Sequence, residues 1–371
     1  MTELAIFVAT SGHSGVDRVV GNLARGLERL GVATDLLQIE HHGPHLDLEG
    51  WRHVRRVALG TRHVNTALPA LVRYLRRERP TVLLADKYRV NRLAILARRL
   101  AGVPTRLALR VGTTVSVDLQ GRGPAGRVIE SFCLRHLYSG VESVLCPSAA
   151  AARDLEAVAR WPAGRVTVVP SPVVEEARFK DRPPSPQHPW FAPGEPPVVL
   201  GAGELSARKD FETLVRAFAR LRGRRPCRLV ILGRGRRREA LLDLARELGV
   251  AEGLELPGFV ADPYPWMAHA GAFALTSRWE GMPVVLLEAL ALGVPVASTD
   301  CPSGPRELLQ DGRLGPLVPM GDDAALADAL ATVLADPPAP ARLREAAARY
   351  GIVAATRGYL AATGLSAPDA T

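Results

Sequence analysis

Short apolar runs alternate along the chain with longer segments in which apolar residues recur at helical spacing. The first run, LAIFVAT at 4–10, has the length of a strand, and the segment after it spaces valines and leucines as one face of a helix up to Gly31. This alternation is typical of parallel sheets joined by crossover helices. Further strands are predicted in the first half at ATDLLQI, TVLLAD, RLALRV, SVLCPS and VTVVP.

A proline-rich segment, FKDRPPSPQHPWFAPGEPP at 179–197, interrupts the alternation near the middle of the chain. Proline lacks the N–H that a helix interior or a sheet ladder needs, so the segment is interpreted as an inter-domain linker. The alternation then starts again with PVVLGAG, CRLVILG, LELPGFV and AFALTS. We therefore predict an α/β protein with Rossmann-like domains at 1–178 and 198–340, and a helical tail at 341–371.

Composition narrows the class of protein. The 371 residues include 47% hydrophobic and 23% charged residues, as in a soluble globular protein, and no apolar run reaches the about 20 residues of a membrane span. The N-terminus has no basic region and is interpreted as a first strand, not a signal peptide. The four cysteines form no CxxC pair, which argues against a disulfide framework or a zinc site and predicts a cytoplasmic protein.

The net charge of +9 resides entirely in the N-terminal half. Residues 1–178 contain 25 basic and 16 acidic side chains, whereas the remainder contains 22 of each. The arginine-rich helical segments at 68–80 and 91–100 could attract an anionic membrane or a phosphorylated substrate, or could simply form a solvated face. Nucleic acid is disfavoured because these stretches lack interleaved aromatic residues.

Two glutamates stand in an otherwise apolar run, SRWEGMPVVLLEALALGVPVAS at 277–298. A strand is predicted just before this run, a helix is expected from Pro283 to about Leu292, and a further strand is predicted at VPVAST. Glu280 then follows the carboxyl end of a strand, the place where open α/β sheets bind ligands. Glu288 lies about 7–8 Å further along the helix, at about 1.5 Å per residue.

These positions have the chemistry of a nucleotide-sugar site. Free N–H groups near Gly281, Met282 and Val284 would favour a phosphate, and the two carboxylates would accept hydrogen bonds from hydroxyl groups. Alternatively, Glu280 stabilises the helix dipole and Glu288 is a surface residue. The apolar neighbours of Glu288 weaken that alternative.

The run contains the pattern S-x-x-E-G-x-P-x-x-x-x-E-A-x-A-x-G-x-P-V, and other motifs accompany it in a regular order. They are GAGELSARKDFETLVRAF (201–218), RLVILGRGRRREAL (228–241), LELPGFVADPYPWMAHA (254–270), CPSGPRELL (301–309), SGHSGVDRVVGNLARGLERLG (11–31) and VTVVPSPV (166–173). Over nearly its whole length the chain thus resembles the retaining, sugar-nucleotide-dependent glycosyltransferases of group 1, family 4. The resemblance implies the GT-B fold, in which two Rossmann-like domains face each other across a cleft.

The resemblance also implies roles for matching positions. Glu288 would bind the ribose hydroxyls, Glu280 would contact the transferred sugar near the reacting carbon, and Lys209 with Arg208 would neutralise the departing diphosphate. Further donor contacts are expected at Gly203, Gly233, Gly258, Phe259, Val260, Gly281, Met282, Pro283 and Val284. A loop for the acceptor or the diphosphate is expected at Gly12, His13 and Gly15, although these residues could equally form a simple strand-to-helix turn.

The implied activity is transfer of a sugar, with anomeric retention, from a nucleotide sugar to a glycan or lipid-linked acceptor. A UDP-sugar donor, a role in cell-surface polysaccharide or glycolipid biosynthesis, and peripheral contact with the inner face of an anionic plasma membrane are expected. No cofactor or metal is expected, since a cationic pair can replace a metal and Asp322-Asp323 is interpreted as a helix cap. The alternatives are a sugar-nucleotide epimerase or hydrolase and an inactive nucleotide-sugar-binding homologue.

Two positions depart from the family's pattern. Glu204 stands where relatives commonly have an arginine, and an acid there would repel a diphosphate unless it points away. Gly112 stands where many relatives have a histidine, so Arg110, Thr113 or Thr114 would have to supply any polar contact there.

Overall fold

The computed structural model describes residues 2–10, 12, 15–175, 179 and 181–367. The chain forms two units, one of Met1–Val173 with Tyr350–Thr371 and the other of Val174–Arg349. The chain therefore passes to the second unit just before the proline-rich segment. It returns to the first unit within the segment that the sequence suggests as a tail.

The first unit contains a seven-stranded sheet in the order β3-β2-β1-β4-β5-β6-β7, with every neighbouring pair parallel. The strands are β1 (Leu4–Phe7), β2 (Thr34–Gln38), β3 (Val54–Ala58), β4 (Val82–Asp86), β5 (Arg106–Arg110), β6 (Ser143–Cys146) and β7 (Thr167–Val168). The helices between them are α1 (Gly15–Arg29), α2 (Leu68–Glu78), α3 (Tyr88–Ala101), α4 (Val115–Gln120), α5 (Pro124–His136) and α6 (Ala149–Ala159).

Both faces of this sheet are buried, which explains why its strands are continuous apolar runs. Leu4 and Ile6 of β1 belong to one hydrophobic cluster, whereas Ala5 and Phe7 belong to another. Successive side chains of a strand point to opposite faces, so each face of the sheet packs against its own layer of helices.

The second unit contains a six-stranded parallel sheet in the order β10-β9-β8-β11-β12-β13. Its strands are β8 (Val198–Ala202), β9 (Arg228–Leu232), β10 (Leu254–Gly258), β11 (Ala272–Leu275), β12 (Val296–Thr299) and β13 (Leu317–Val318). Its helices are α7 (Phe211–Arg222), α8 (Arg238–Glu247), α9 (Tyr264–Ala268), α10 (Val284–Leu292), α11 (Pro305–Leu308), α12 (Asp323–Ala335) and α13 (Pro340–Ala348).

The last helix, α14 (Ile352–Ala362), belongs to the first unit and packs against α1. The close approach is possible because Gly26 of α1 faces Thr356, and a side chain at Gly26 would collide with the threonine hydroxyl. The C-terminal segment thus completes the layer of side chains that covers β1.

The strands predicted from apolar runs are confirmed, and two further strands were not predicted. β3 lies at the edge of its sheet, and its sequence VRRVA is mostly exposed. An edge strand has one neighbour and need not be apolar, so the period of its sequence gives little signal. β13 has only two residues.

Candidate functional site

The strand order of the second unit reverses between β8 and β11, which are neighbours although three helices and two strands separate them along the chain. Because the strands are parallel, the loops that follow β8 and β11 leave the sheet on the same side, at the carboxyl ends of the strands. Such a reversal is where open α/β sheets bind ligands. The loop after β8 carries Arg208 and Lys209, and the loop after β11 carries Glu280.

These three side chains meet in one cluster. The Lys209 ammonium lies 2.6 Å from Oε1 of Glu280, and Nη1 of Arg208 lies 3.0 Å from Oε2. The Ser277 hydroxyl donates a hydrogen bond of 2.7 Å to Oε1. The side chains of Lys209 and Glu280 are only 8% and 7% exposed, whereas that of Arg208 is 35% exposed. The structure therefore brings together the three residues that the sequence suggests as catalytic.

Backbone contacts fix the two loops to each other. The N–H of Arg278 donates to the carbonyl of Arg208 at 2.8 Å, and the Thr276 hydroxyl donates to the carbonyl of Lys209 at 2.8 Å. Arg278 also pairs with the buried Asp210 at 3.1 Å. The position of the ammonium relative to Glu280 is therefore set by the fold and not by the lysine side chain alone.

The charges of the cluster do not cancel. Arg208, Lys209 and Arg278 face the carboxylates of Glu280 and Asp210, which leaves one positive charge in excess. Burial alone would raise the pKa of Glu280, but the Lys209 ammonium and the Arg208 guanidinium outweigh it and hold that pKa below its ordinary value. Glu280 is therefore ionised at neutral pH, and the cluster as a whole favours an anion.

Three predicted glycines lie where neighbouring strands end. Gly203 follows β8 with a φ of 152°, and a Cβ there would lie 2.9 Å from Cε of Lys209. A side chain at Gly233 would collide with the carbonyl oxygen of Gly203, and the Gly233 N–H donates to the carbonyl of Gly258 at 2.8 Å. Gly203 can therefore approach the Lys209 stem, and Gly233 can approach Gly203, only because these positions lack side chains.

The loop after β10 presents an aromatic ring beside these glycines. Phe259 is exposed, and the Arg234 guanidinium lies 5.9 Å from its ring centroid. Val260 is half-buried. The loops that follow β8, β9 and β10 thus supply glycine backbone, a cation and an exposed ring along one edge of the sheet.

Glu288 is fully buried within α10, so the alternative of a surface residue is wrong. Its Oε1 accepts a hydrogen bond of 2.9 Å from the hydroxyl of Tyr264, whose ring packs edge-on against Phe179. Tyr264 was not predicted, since nothing in the local pattern of 254–270 indicates that its one tyrosine reaches a carboxylate on another helix. The residues Gly281, Met282 and Pro283 are buried just before α10, and Val284 is its half-buried first residue.

The N-terminal loop lies at the corresponding place in the first sheet, where the order reverses between β1 and β4. Gly12 follows β1 and packs against the ring of His45, and Gly15 is the first residue of α1. His13 lies outside the described residues.

The two departures from the family pattern differ in their surroundings. Glu204 is exposed, two residues after the end of β8. A Cβ at Gly112 would lie 2.7 Å from Nη1 of Arg110, so the arginine occupies the space that a larger residue would need. Arg110 is itself buried and bonded to Asp86 and Tyr359, which makes it unsuitable for the polar ligand contact considered above.

Comparison with known proteins identifies the family. The sequence profile described as "Glycosyl transferases group 1" matches residues 187–350, and the profile described as "Glycosyl transferase 4-like domain" matches residues 14–172. The chain belongs to the group 1 glycosyltransferases. The expected membership of the group 1 glycosyltransferases and the enzyme class are thereby confirmed, and the two parallel sheets confirm the two-domain α/β fold.

Individual relatives agree with this assignment. The chain is 31% identical over 257 residues to the N-acetylgalactosamine-N,N'-diacetylbacillosaminyl-diphospho-undecaprenol 4-alpha-N-acetylgalactosaminyltransferase of Campylobacter jejuni, covering 67% of this chain and 65% of the relative, just under two thirds. It is 29% identical to the lipopolysaccharide core biosynthesis glycosyltransferase LpsE of Rhizobium meliloti, covering 89% and 88%. The crystal structure of Anabaena HepE in complex with UDP superimposes with a TM-score of 0.78 at 16% identity, covering 98% and 100%, which supports the fold.

Two predictions about helices can also be compared with the structure. Asp322 caps α12 by accepting a hydrogen bond of 2.9 Å from the N–H of Ala325, as its interpretation as a cap requires. Among the described residues, no helix is both long and apolar enough to cross a bilayer.

Proposed function

We propose that this glycosyltransferase moves a sugar from a UDP-sugar to a glycan or lipid-linked acceptor with retention of anomeric configuration. The observation that carries the proposal is the cluster of Lys209, Arg208 and Glu280 at the strand-order reversal of the second sheet. Two cations share one carboxylate there, so the cluster has positive charge to offer to the diphosphate of a donor.

Each member of the cluster has a distinct part in this proposal. Arg208 contacts Glu280 through Nη1, and its partly exposed guanidinium has further N–H donors for phosphate oxygens. Lys209 supplies a compact charge that the fold holds in place. Glu280 aligns both cations and, since a carboxylate oxygen can accept more than one hydrogen bond, contacts the transferred sugar as well.

The remaining contacts to the donor are proposed for residues that follow the strands of the second sheet and for residues of α10. Glu288 accepts hydrogen bonds from the ribose hydroxyls, and Tyr264 orients its carboxylate by the hydrogen bond to Oε1. The backbone of Gly258, Phe259 and Val260 meets the base, while Gly203 and Gly233 let the backbone at the strand ends approach the diphosphate closely. The segment of Gly281, Met282, Pro283 and Val284 presents amide groups at the start of α10.

In the proposed reaction the bond from the anomeric carbon to the diphosphate breaks, and a bond to the acceptor hydroxyl forms on the same face. The acceptor proton passes to an oxygen of the departing diphosphate. Lys209 and Arg208 stabilise the negative charge that develops on this group, a task that elsewhere falls to a divalent metal. The transfer is therefore proposed to be independent of added metal.

The names of the relatives support an acceptor and a pathway. The Campylobacter relative is named for a diphospho-undecaprenol acceptor and the Rhizobium relative for the lipopolysaccharide core. We accordingly place this chain in cell-surface polysaccharide or glycolipid biosynthesis, in the cytoplasm, with peripheral contact at the anionic inner face of the plasma membrane. The loop of Gly12, His13 and Gly15 is proposed to serve the acceptor or the diphosphate.

Calorimetric titration of the full chain with UDP, GDP and uridine tests the donor site. If the cluster binds the diphosphate, UDP will bind at least about a hundredfold more tightly than uridine, and the difference will shrink as salt is added. Equal affinity for UDP and uridine would contradict the diphosphate site. Tighter binding of GDP than of UDP would show that the donor is a GDP-sugar and not a UDP-sugar.

Transfer assays with the sugar form of the best nucleotide then test the reaction. Turnover should persist in EDTA, and NMR of the product should show retained anomeric configuration. Loss of turnover in EDTA would contradict the metal-free proposal. Rapid release of free sugar, or epimerisation, without any acceptor would favour a hydrolase or an epimerase instead.

A further inference from the structure

Helix α5 exposes an apolar face to solvent. Val128, Ile129 and Phe132 are 69%, 56% and 59% exposed, and they lie within two turns of one another. At about 100° per residue these positions fall on one side of the helix. A contiguous exposed apolar face of this kind marks an interaction site.

The opposite side of the same helix is anchored in the unit. Cys133 and Leu134 are buried there, and so is Glu130. The Glu130 carboxylate pairs with Arg92 of α3 at 3.1 Å and with Arg122 at 3.3 Å. The inward face thus fixes the orientation of α5, and the exposed apolar face is a built feature and not the result of a loosely held helix.

Helix α3 extends the apolar surface. Leu96 and Leu100 follow Arg92 by about one and two turns, on the side of α3 from which Arg92 reaches α5, and both are exposed. We refer to Leu96, Leu100, Val128, Ile129 and Phe132 as the apolar patch. Among the described residues nine large apolar side chains are exposed, and five of them belong to this patch.

The surroundings of the patch are positively charged. Helix α3 contains four arginines and no acidic residue, and α5 contains two arginines and the single buried Glu130. Arg89, Arg99 and Arg127 are exposed around the patch. Of the α3 arginines, Arg92 pairs with Glu130 and Arg98 pairs with Glu142. The positive charge offered around the apolar side chains therefore comes from the exposed Arg89, Arg99 and Arg127.

From this combination we infer that the apolar patch inserts into the surface of an anionic phospholipid bilayer. Helix α5, with 13 residues, is about 20 Å long and would lie in the plane of the interface, with its apolar side chains among the acyl chains and its arginines at lipid phosphates. A second copy of the chain fits less well, because a symmetric contact would bring two positive rims together. The inference rests on the proposed membrane contact and names its surface, but it does not depend on the donor or the reaction.

Sedimentation with vesicles of phosphatidylcholine, with and without phosphatidylglycerol, tests the inference. The full chain should bind the anionic vesicles and bind pure phosphatidylcholine much less. The triple variant Val128→Ser, Ile129→Ser, Phe132→Ser should lose about 30-fold or more in partitioning, because three inserted side chains are replaced. The control Leu248→Ser, Met320→Ser removes two exposed apolar side chains of the second unit and should bind like the unmodified chain.

Insertion can also be observed directly. The four native cysteines are buried, so Ile129→Cys can be labelled selectively with a polarity-sensitive fluorophore. Its emission should shift to the blue on anionic vesicles, whereas a label at Leu248→Cys should not respond.

Unchanged vesicle binding of a folded triple variant, or an unresponsive label at position 129, would overturn the inference. So would a concentration-dependent dimer of the full chain that the triple variant abolishes. Binding of UDP and transfer to a soluble acceptor are measured on the same variant, and they should be unaffected. Failure of the proposed function would instead abolish them in the unmodified chain.

Discussion

Each of the two units places a buried ion pair at the carboxyl edge of its parallel sheet. In the first unit Arg110 of β5 pairs with Asp86 of β4 at 2.7 Å. In the second unit Lys209 pairs with Glu280 at 2.6 Å, in the loops after β8 and β11. Burial and distance are nearly the same in the two pairs, so neither property distinguishes a structural pair from a functional one.

The pairs differ in the balance of charge and in their other partners. Arg110 meets one carboxylate, and its other nitrogens contact the hydroxyls of Tyr359 and Ser171 at 2.9 and 3.4 Å. These contacts join β4, β5 and α14, which are distant in sequence, so the pair stabilises the first unit. In the second unit Arg208 joins Lys209 on Glu280, so that two cations share one carboxylate. The excess of charge, and not burial, indicates a site for an anion.

Lys209→Met reduces the second cluster to one cation per carboxylate, as in the first unit, and preserves the volume of the lysine stem. We expect kcat/KM for transfer to fall about a thousandfold, with little loss of stability, because Glu280 keeps Arg208. The control Arg216→Met changes an exposed arginine of α7 and should leave turnover intact. Unchanged turnover in Lys209→Met would contradict a role of the second cluster in the reaction.

Arg110→Met tests whether the ion pair of the first unit stabilises the fold, because it leaves Asp86 buried without its cation. The free energy of unfolding should fall by about 3 kcal/mol, as measured by urea denaturation. Turnover per folded molecule should stay within about threefold of the unmodified enzyme. Asp86→Asn combined with Arg110→Met should recover part of the stability. A stable Arg110→Met variant without activity would show that this pair, too, serves the reaction.

The lowered pKa of Glu280 predicts that the stability contributed by the second cluster depends on pH. Because the folded-state pKa is below the ordinary value, the ionised carboxylate stabilises the fold above the unfolded-state pKa, and this stabilisation is lost as pH falls through the folded-state pKa. Glu280→Gln should therefore be less stable than the unmodified chain by about 2 kcal/mol at neutral pH. Denaturation at successively lower pH should show this difference shrinking. A difference that is constant with pH would contradict the assignment.

Tyr264→Phe removes the hydroxyl that orients Glu288 and retains the ring that packs on Phe179. We expect the KM for the donor to rise about fivefold with kcat nearly unchanged, and Glu288→Gln to have a larger effect of about twentyfold. Steady-state kinetics with varied donor separates the two constants. A fall in kcat alone in Tyr264→Phe would place the tyrosine in the chemical step instead.

The parts of the fold that were predictable are those that one local property determines. Strands such as β1 and β8 are apolar runs because a parallel sheet is buried on both faces. The edge strand β3 escaped prediction because its exposed arginines follow no apolar period. Periodicity therefore locates the interior of a sheet better than its edge.

In the candidate site, too, local pattern predicts the position of a residue better than its contacts. The position of Glu280 after a strand followed from local pattern, and the family resemblance implied that Lys209, 71 residues earlier, belongs to the same donor site. The ion pair between the two side chains was not predicted and is seen only in the structure. The bond from Tyr264 to Glu288 joins α9 and α10 and depends on how these helices pack. No spacing along the chain specifies such a contact, so only the structure could supply it.

The smallest effect is expected at Glu204, which lies exposed in the loop that leads to Arg208 and Lys209. Glu204→Arg restores the residue common in the family and adds a positive charge near the cluster. Since the charge is in contact with solvent, we expect UDP to bind only about threefold more tightly at low salt, and the gain should vanish at high salt. Calorimetry at two ionic strengths measures both values, with Glu204→Gln as the neutral control. A gain of the same size in high salt would mean that position 204 contacts the diphosphate directly. Glu204 would then belong to the cluster, and its negative charge would cancel the one positive charge in excess.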